Sequence, residues 1–365
     1  MEPRRYAYID ALRGYAILMV IAVHASQLVD DARLQFLASQ GARGVQLFFV
    51  ASAITLCMSW KARHDGAGPF YLRRFFRIAP MFYLALGFFL WLRGLSPNGS
   101  APYGLGLHQI LMTVTFTHGF LPDAIDSIVP GSWSIADEMV FYAIFPLVIA
   151  AVSSARFARV AIACAILLAI CCAIEILAVR AVHGIADPVR HDLAANFVFL
   201  WFVNQAPCFL FGCLVFKWSE EGGDLRRGPA AALVIGSLCA MALIAIVRNQ
   251  TGWTILLPML YGALFAALAL GLTCWQPAAL VNPVIGWIGK VSYSGYLIHL
   301  ALIAAVPLPR ESFSGAFVVL LAATLALSAI TYRCIEQPFN NAGRRLAQRW
   351  TSRTTAPAAR RAEAA

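Results

Sequence analysis

Apolar runs of about twenty residues recur along the chain, each interrupted by a short polar or Gly/Pro-bearing stretch. Ten such runs fall near residues 8–29, 45–60, 75–92, 133–152, 157–179, 196–216, 229–247, 253–275, 288–307 and 315–335. Most approach the roughly 20 residues an α-helix needs to cross a bilayer. The pattern predicts an all-α polytopic membrane bundle of about ten transmembrane helices. The second run is short, and residues 107–121 read as a re-entrant or interfacial segment. No internal repeat is visible.

Composition agrees with this pattern. The chain is 60% hydrophobic and 13% charged, with mean hydropathy +0.72, where soluble domains carry about 25% charged residues. The formal charge of +10 would suggest nucleic acid in a soluble protein. Here it reads as Lys and Arg gathered in cytoplasmic loops, and no nucleic-acid partner is expected. Lys61, Arg63, Arg73, Arg74 and Arg77 follow the second run, Arg156 and Arg159 follow the fourth, and six arginines lie beyond residue 343. Residues 96–130 hold Asp123 and Asp126 and no Lys or Arg. Both termini are therefore expected in the cytoplasm, in a multi-pass protein of the inner (plasma) membrane. The first run is too long and lacks the small-residue site of a cleavable signal. Residues 1–342 form the expected membrane domain, and 343–365 a basic, disordered tail. The nine cysteines lie in apolar runs without a CxxC pair and read as buried hydrophobes. No His/Cys/Asp spacing suggests a metal site.

The informative residues are the polar ones inside the apolar runs. Intramembrane Asp, Glu, Arg and His are costly and mark functional candidates. The first run carries Asp10, Arg13 and His24. Arg13 and His24 are 11 residues apart, which is three helical turns plus about 20°, so they share a face roughly 16 Å apart along the axis. With the N-terminus inside, Arg13 sits toward the cytoplasm and His24 toward the outer surface. In the fourth run, counted inward from Trp133, Glu138 is expected about 7 Å below the outer boundary, at the level of His24. Arg74 and Arg77 would lie on the inner side with Arg13.

Cations inside with an imidazole and a carboxylate outside fit acyl transfer. Planar guanidiniums suit the phosphates of a nucleotide thioester. The imidazole of His24 could take a proton from an attacking hydroxyl, and Glu138 could orient it.

The motifs containing these residues resemble the acyltransferase 3 family of integral membrane acyltransferases, which includes O-antigen O-acetylases, nodulation-factor acetylases and the membrane part of peptidoglycan O-acetyltransferases. IDALRGYAILMVIAVHA holds Arg13 and His24, GVQLFFVASAITL holds Ser52, and RRFFRIAPMFYL holds Arg74 and Arg77. GSWSIADEMVFYAIFPL places its glutamate at Glu138, and SYSGYLIH and YRCIEQPF match the closing motifs. The resemblance spans nearly the whole chain. It implies acyl-CoA, acetyl-CoA by default, as the cytoplasmic co-substrate and a hydroxyl acceptor on a carbohydrate or glycolipid. It also implies His24 as catalytic base and arginines that hold the donor. Two positions depart from the pattern: Met139 where a second Glu is common, and Ala53 where Gly is usual. With no esterase domain expected after the last run, the chain would complete the transfer itself or hand the acyl group to a separate periplasmic protein.

Each site has a plainer reading. His24 also fits an interhelical hydrogen bond, Arg13 a snorkelling cation, and Arg73, Arg74 and Arg77 ordinary loop cations. Asp10 reads as a local partner of Arg13, Ser52 as interhelical glue, and Trp133 and Tyr142 as interfacial or packing aromatics. His299 and Tyr296 fit either core or site lining. Asp137 is expected to stay wet just above Glu138. His108 and His118 read as loop histidines, with contact to the acceptor as the alternative, Glu175 and Arg180 as an outer-leaflet pair or a snorkelling arginine, and Glu336 as a residue that caps or orients the end of the last run. A transporter using the buried charges as a relay is the competing class, although no inverted repeat supports it. A non-catalytic scaffold is the third.

Overall fold

The computed structural model describes residues 6–29, 38, 40–63, 65–248 and 256–363. In a bilayer every backbone polar group must be satisfied internally, and a helix does this within its own segment. The described residues accordingly fold into helices with no strand. These are α1 (Ala7–Ser26), α2 (Gly44–Arg63), α3 (Ala67–Arg93), α4 (Leu107–Val114), α5 (Trp133–Ser154), α6 (Phe157–His183), α7 (Pro188–Leu200), α8 (Phe202–Glu220), α9 (Arg227–Arg248), α10 (Leu257–Cys274), α11 (Pro283–Lys290), α12 (Ser292–Ala305), α13 (Phe313–Thr331) and α14 (Gln337–Glu363).

Among the described residues nine helical stretches are long and apolar enough to cross a membrane, or ten if α11 and α12 count as one. All ten expected runs thus have helical counterparts, although the start of the eighth, at Trp253, lies outside the described residues. The ninth run differs from a plain span. Its two halves bend by 69° between Lys290 and Ser292. The expected 107–121 segment is the short helix α4 followed by turns.

α1 is central and packs against α2, α11, α12 and α13. Gly289 of α11 lies directly over the Asp10 carbonyl, where a β-carbon would not fit. α2 is the most buried span, whereas α6 is the least, followed equally by α9 and the stretch of α13 and α14; α6 and α9 present Ile162, Ile166, Leu238 and Leu243 outward. Ala53, which stands where the resemblance expects glycine, meets Gly212 of α8. The small residue that permits close approach is therefore on the partner helix.

Two expectations about segment ends change. α3 begins at Ala67 rather than near residue 75. Arg73, Arg74 and Arg77 are consequently helix residues, with their stems packed in the bundle and not spread in a loop. The tail expected to be disordered is helical through Glu363. Its first turns are held on α3, where Phe339 stacks on Phe76 at 6.4 Å and the Trp350 ring lies over Gly68. Ala and Arg, strong helix formers, then extend the helix from that docked start.

Residues 94–132 fold down onto the bundle. His118, Ala124, Ile125 and Val129 are all essentially inaccessible. α5 therefore starts against the bundle, at the level of Phe49 in the second turn of α2, where Trp133 packs edge-on at 6.2 Å.

Candidate active site

α1, α2, α3, α5 and α12 line a shared pocket. Arg13 comes from α1, Phe48, Ser52 and Thr55 from α2, Arg74 and Arg77 from α3, Glu138 and Tyr142 from α5, and Tyr293 and Tyr296 from α12. The helical repeat explains the shared faces. Ser52 and Thr55 are three apart, as are Arg74 and Arg77, and Glu138 and Tyr142 are four apart, so each pair points the same way.

The polar end of the pocket is tightly bonded. Arg13 donates to Thr55 Oγ1 at 3.0 Å and pairs with Asp10 at 3.8 Å. Thr55 in turn donates to the Ala51 carbonyl at 2.7 Å. Glu138 accepts from the Ser52 hydroxyl and from Tyr142. The Arg74 guanidinium lies over the rings of Phe70 at 5.9 Å and Tyr142 at 6.0 Å. Arg77 faces Tyr142, Glu336, Glu138 and Tyr293. Glu336, on the π-helical turn Tyr332–Glu336, accepts from the Ser294 backbone N–H at 2.9 Å and from the Ser294 hydroxyl. Glu336 thereby ties the start of α12 to the end of α13. Tyr293 donates to the Ile78 carbonyl on α3 at 2.7 Å.

Three guanidiniums and one carboxylate thus line the cavity itself, leaving an excess of positive charge suited to phosphate or diphosphate. Arg73 is not part of this set. It forms a two-pronged pair with Asp65, its Nη2 reaching Oδ1 at 2.8 Å. Partial burial works against the ionised Asp65, but the hydrogen bond and charge of Arg73 outweigh it and hold the carboxyl below its usual value.

The other end of the pocket is apolar, with Val45, Phe48, Ile135 and Tyr296. Beyond Tyr296 a series of rings continues. Tyr296 is 5.8 Å from His299, and His299 is 5.2 Å from His24. The His24 Nδ1 is 3.0 Å from Gln27 Oε1. His299 is fully buried, its Nδ1 donating to the Gly295 carbonyl at 3.0 Å, and its Nε2 has no hydrogen-bond partner among the described residues.

Several sequence expectations require correction. Glu138 does not orient His24. It sits with the arginines around Arg13, while His24 is three turns further along α1 and meets Gln27 and His299. The depth count took Trp133 as the outer boundary, whereas Trp133 packs on Phe49 of α2 and follows a segment whose His118, Ala124, Ile125 and Val129 are buried. Asp137 is 1% exposed and not wet, and both its oxygens lack partners among the described residues. His118 is buried against Phe82, bonded to the Ser132 carbonyl at 3.1 Å, and burial pushes its imidazole below the usual value. His108 pairs with Asp123 at 2.8 Å. Glu175 accepts from the Trp201 indole, not from Arg180. Trp133 packs on Phe49 outside the pocket lining.

Glu336 was read as capping or orienting the last run, not as its junction with α12, and Thr55 and Tyr293 were not singled out from sequence. Tyr293 could have been. Tyr293, Tyr296 and His299 recur every three residues in α12 and form a stripe on one face.

The Acyltransferase domain family matches residues 6–333, which takes in every helix from α1 to α13. The chain belongs to the acyltransferase 3 family. It is 32% identical to "Acyltransferase MdmB" of Streptomyces mycarofaciens over 166 residues, covering 40% of this chain and 40% of that protein. The chain thus spans less than half the length of this curated relative. No solved structure matches it. The acyltransferase 3-like motifs, scattered from residue 9 to residue 339 in sequence, supply the arginines, Glu138, the tyrosines and both histidines of the pocket and its ring series.

Proposed function

We propose that this membrane acyltransferase moves an acyl group, acetyl by default, from acyl-CoA to a hydroxyl of a carbohydrate, glycolipid or other cell-envelope or secreted acceptor. The reading rests on one arrangement. α1 carries Arg13 into a pocket of three guanidiniums and carries His24 to the far end of an aromatic series, roughly 16 Å away along the helix.

Both termini lie in the cytoplasm, so the donor enters from that side. Its phosphates bind Arg74, Arg77 and Arg13, and its thioester arm points along α1 toward His24. The acceptor oxygen attacks the thioester carbonyl while His24 removes the hydroxyl proton. The C–S bond breaks, and the departing thiolate takes a proton to become free CoA. Glu138 acts at the donor end: with Ser52 and Tyr142 it holds the arginines apart and neutralises part of their charge. Asp10 braces Arg13, and His299 supports His24. An acceptor on the outer side can be a sugar or a separate periplasmic acyl carrier.

The test uses purified protein in nanodiscs with acetyl-CoA, measuring CoA release and [¹⁴C]acetyl transfer to extracted envelope glycans. His24→Ala and His24→Gln are expected to abolish transfer while retaining CoA binding. Arg77→Ala is expected to weaken CoA binding. Turnover retained in both His24 variants would end the reading.

A further inference from the structure

The donor pocket stops short of the histidines. Neither His24 nor His299 lines it, and what stands between is the pair Phe48 and Tyr296, whose rings meet edge to face at 6.2 Å. Tyr296 is pinned. Its hydroxyl donates to the Gly131 carbonyl at 2.9 Å and accepts from Ser134 Oγ at 2.8 Å. Gly131 has φ +79°, a conformation that suits glycine, and a β-carbon there would press on the Tyr296 hydroxyl. Val45 and Ile135 fill the remaining apolar wall. The pocket is therefore polarised, with its cations at one end and a rigid aromatic neck at the other.

We infer that Phe48 and Tyr296 select the donor by acyl size and restrict the enzyme to short acyl groups. This rests on the donor reading above. If the phosphates lie on the arginines, the acyl end is the leading end of the donor and meets this neck before reaching His24. A two-carbon group passes beside the edge-to-face rings. A long or branched chain must displace a tyrosine held by two hydrogen bonds. Hydrophobic pockets discriminate steeply against groups that do not fit, by about tenfold or more per misplaced methylene.

The test measures binding of non-transferable S-alkyl-CoA thioethers, from ethyl to decyl, to the full-length protein in detergent. Wild type is expected to favour the shortest members, with affinity falling as the chain lengthens. Phe48→Ala and the milder Phe48→Leu are expected to raise the octyl-to-ethyl affinity ratio by at least about tenfold. Tyr296→Phe, which keeps the ring and loses its anchors, is expected to raise it less. Size-exclusion profiles and melting curves report folding, and Phe48→Leu covers the case in which Phe48→Ala does not fold. Equal affinity across the series in wild type, or an unchanged ratio in the folded variants, would overturn the size filter while leaving the donor site standing. Failure of every thioether to bind wild type would overturn the donor reading and the filter with it.

Discussion

At the scale of single residues, Glu138 decides how the pocket tolerates its own charge. It accepts from Ser52 and Tyr142 and lies among Arg13, Arg74 and Arg77. Removing one side of a buried charge cluster costs about 3–5 kcal/mol, because the remaining charges lose their partner. Glu138→Gln is therefore expected to lower the melting temperature of the empty protein. Saturating CoA, whose phosphates replace the lost negative charge, should restore much of the loss. Differential scanning fluorimetry with and without CoA reads both effects, and a melting temperature indifferent to CoA would contradict the assignment. The residues of this cluster were visible in the sequence because charge inside an apolar run is conspicuous. Their grouping was not. Asp137 and Glu138 are neighbours, yet Glu138 joins the cationic pocket while Asp137 faces away toward Cys208. The 100° step of the helix separates them, and only the placement of α5 shows which direction is which.

At the scale of elements, the segment before α5 governs where that helix begins. Asp126 is half-buried there, outside the spans, with the backbone N–H groups of Gly131, Ser132 and Trp133 turned toward it. Burial pushes its carboxyl up to about 7, against 3.8 when unperturbed, even though those N–H groups pull the other way. A carboxyl whose folded value is raised contributes stability that is fully present below the unfolded value and is lost as pH rises through the folded one. Wild type should thus lose stability between about pH 4 and pH 7, by roughly 4 kcal/mol at most. Asp126→Asn, unable to ionise, should flatten that part of the curve and be the more stable protein at pH 8. Thermal melts across pH in one detergent check this, and parallel curves for the two proteins would refute it. The apolar runs announced the helices, but not this buried loop. Its backbone groups are satisfied by local turns and tertiary contacts that have no periodic signature. The bend between α11 and α12 escaped for a related reason. Both halves are apolar, so composition reads them as one span.

At the scale of the whole molecule, α14 returns to brace the helix that carries Arg74 and Arg77. Phe339 stacks on Phe76, Gly343 lies against the same ring, and Trp350 covers Gly68. Aromatic pairs of this kind contribute about 0.5–1.5 kcal/mol beyond their buried area. Deleting residues 339–365, which removes both Phe339 and Trp350, is expected to destabilise the protein by at least about 1 kcal/mol and to weaken CoA binding, with the His24–His299 contact preserved. Isothermal titration with CoA and thermal melts of the truncated protein are the measurements. CoA affinity equal to wild type would show that α3 holds its arginines unaided.

The amino-acid sequence alone determined the membrane-spanning helical class, the family-like motifs, and the shared face of Arg13 and His24. These properties depend on local composition and on the fixed geometry of one helix, which any stretch of chain carries with it. Only the tertiary structure decided that Glu138 lies among the arginines, that His24 meets His299, and that Phe48 and Tyr296 stand between the arginine pocket and the two histidines. Such pairings depend on the depth and rotation of one helix against another. Those are set by close contacts such as Ala53 against Gly212 and by a loop folded beneath the surface, and the linear pattern records neither.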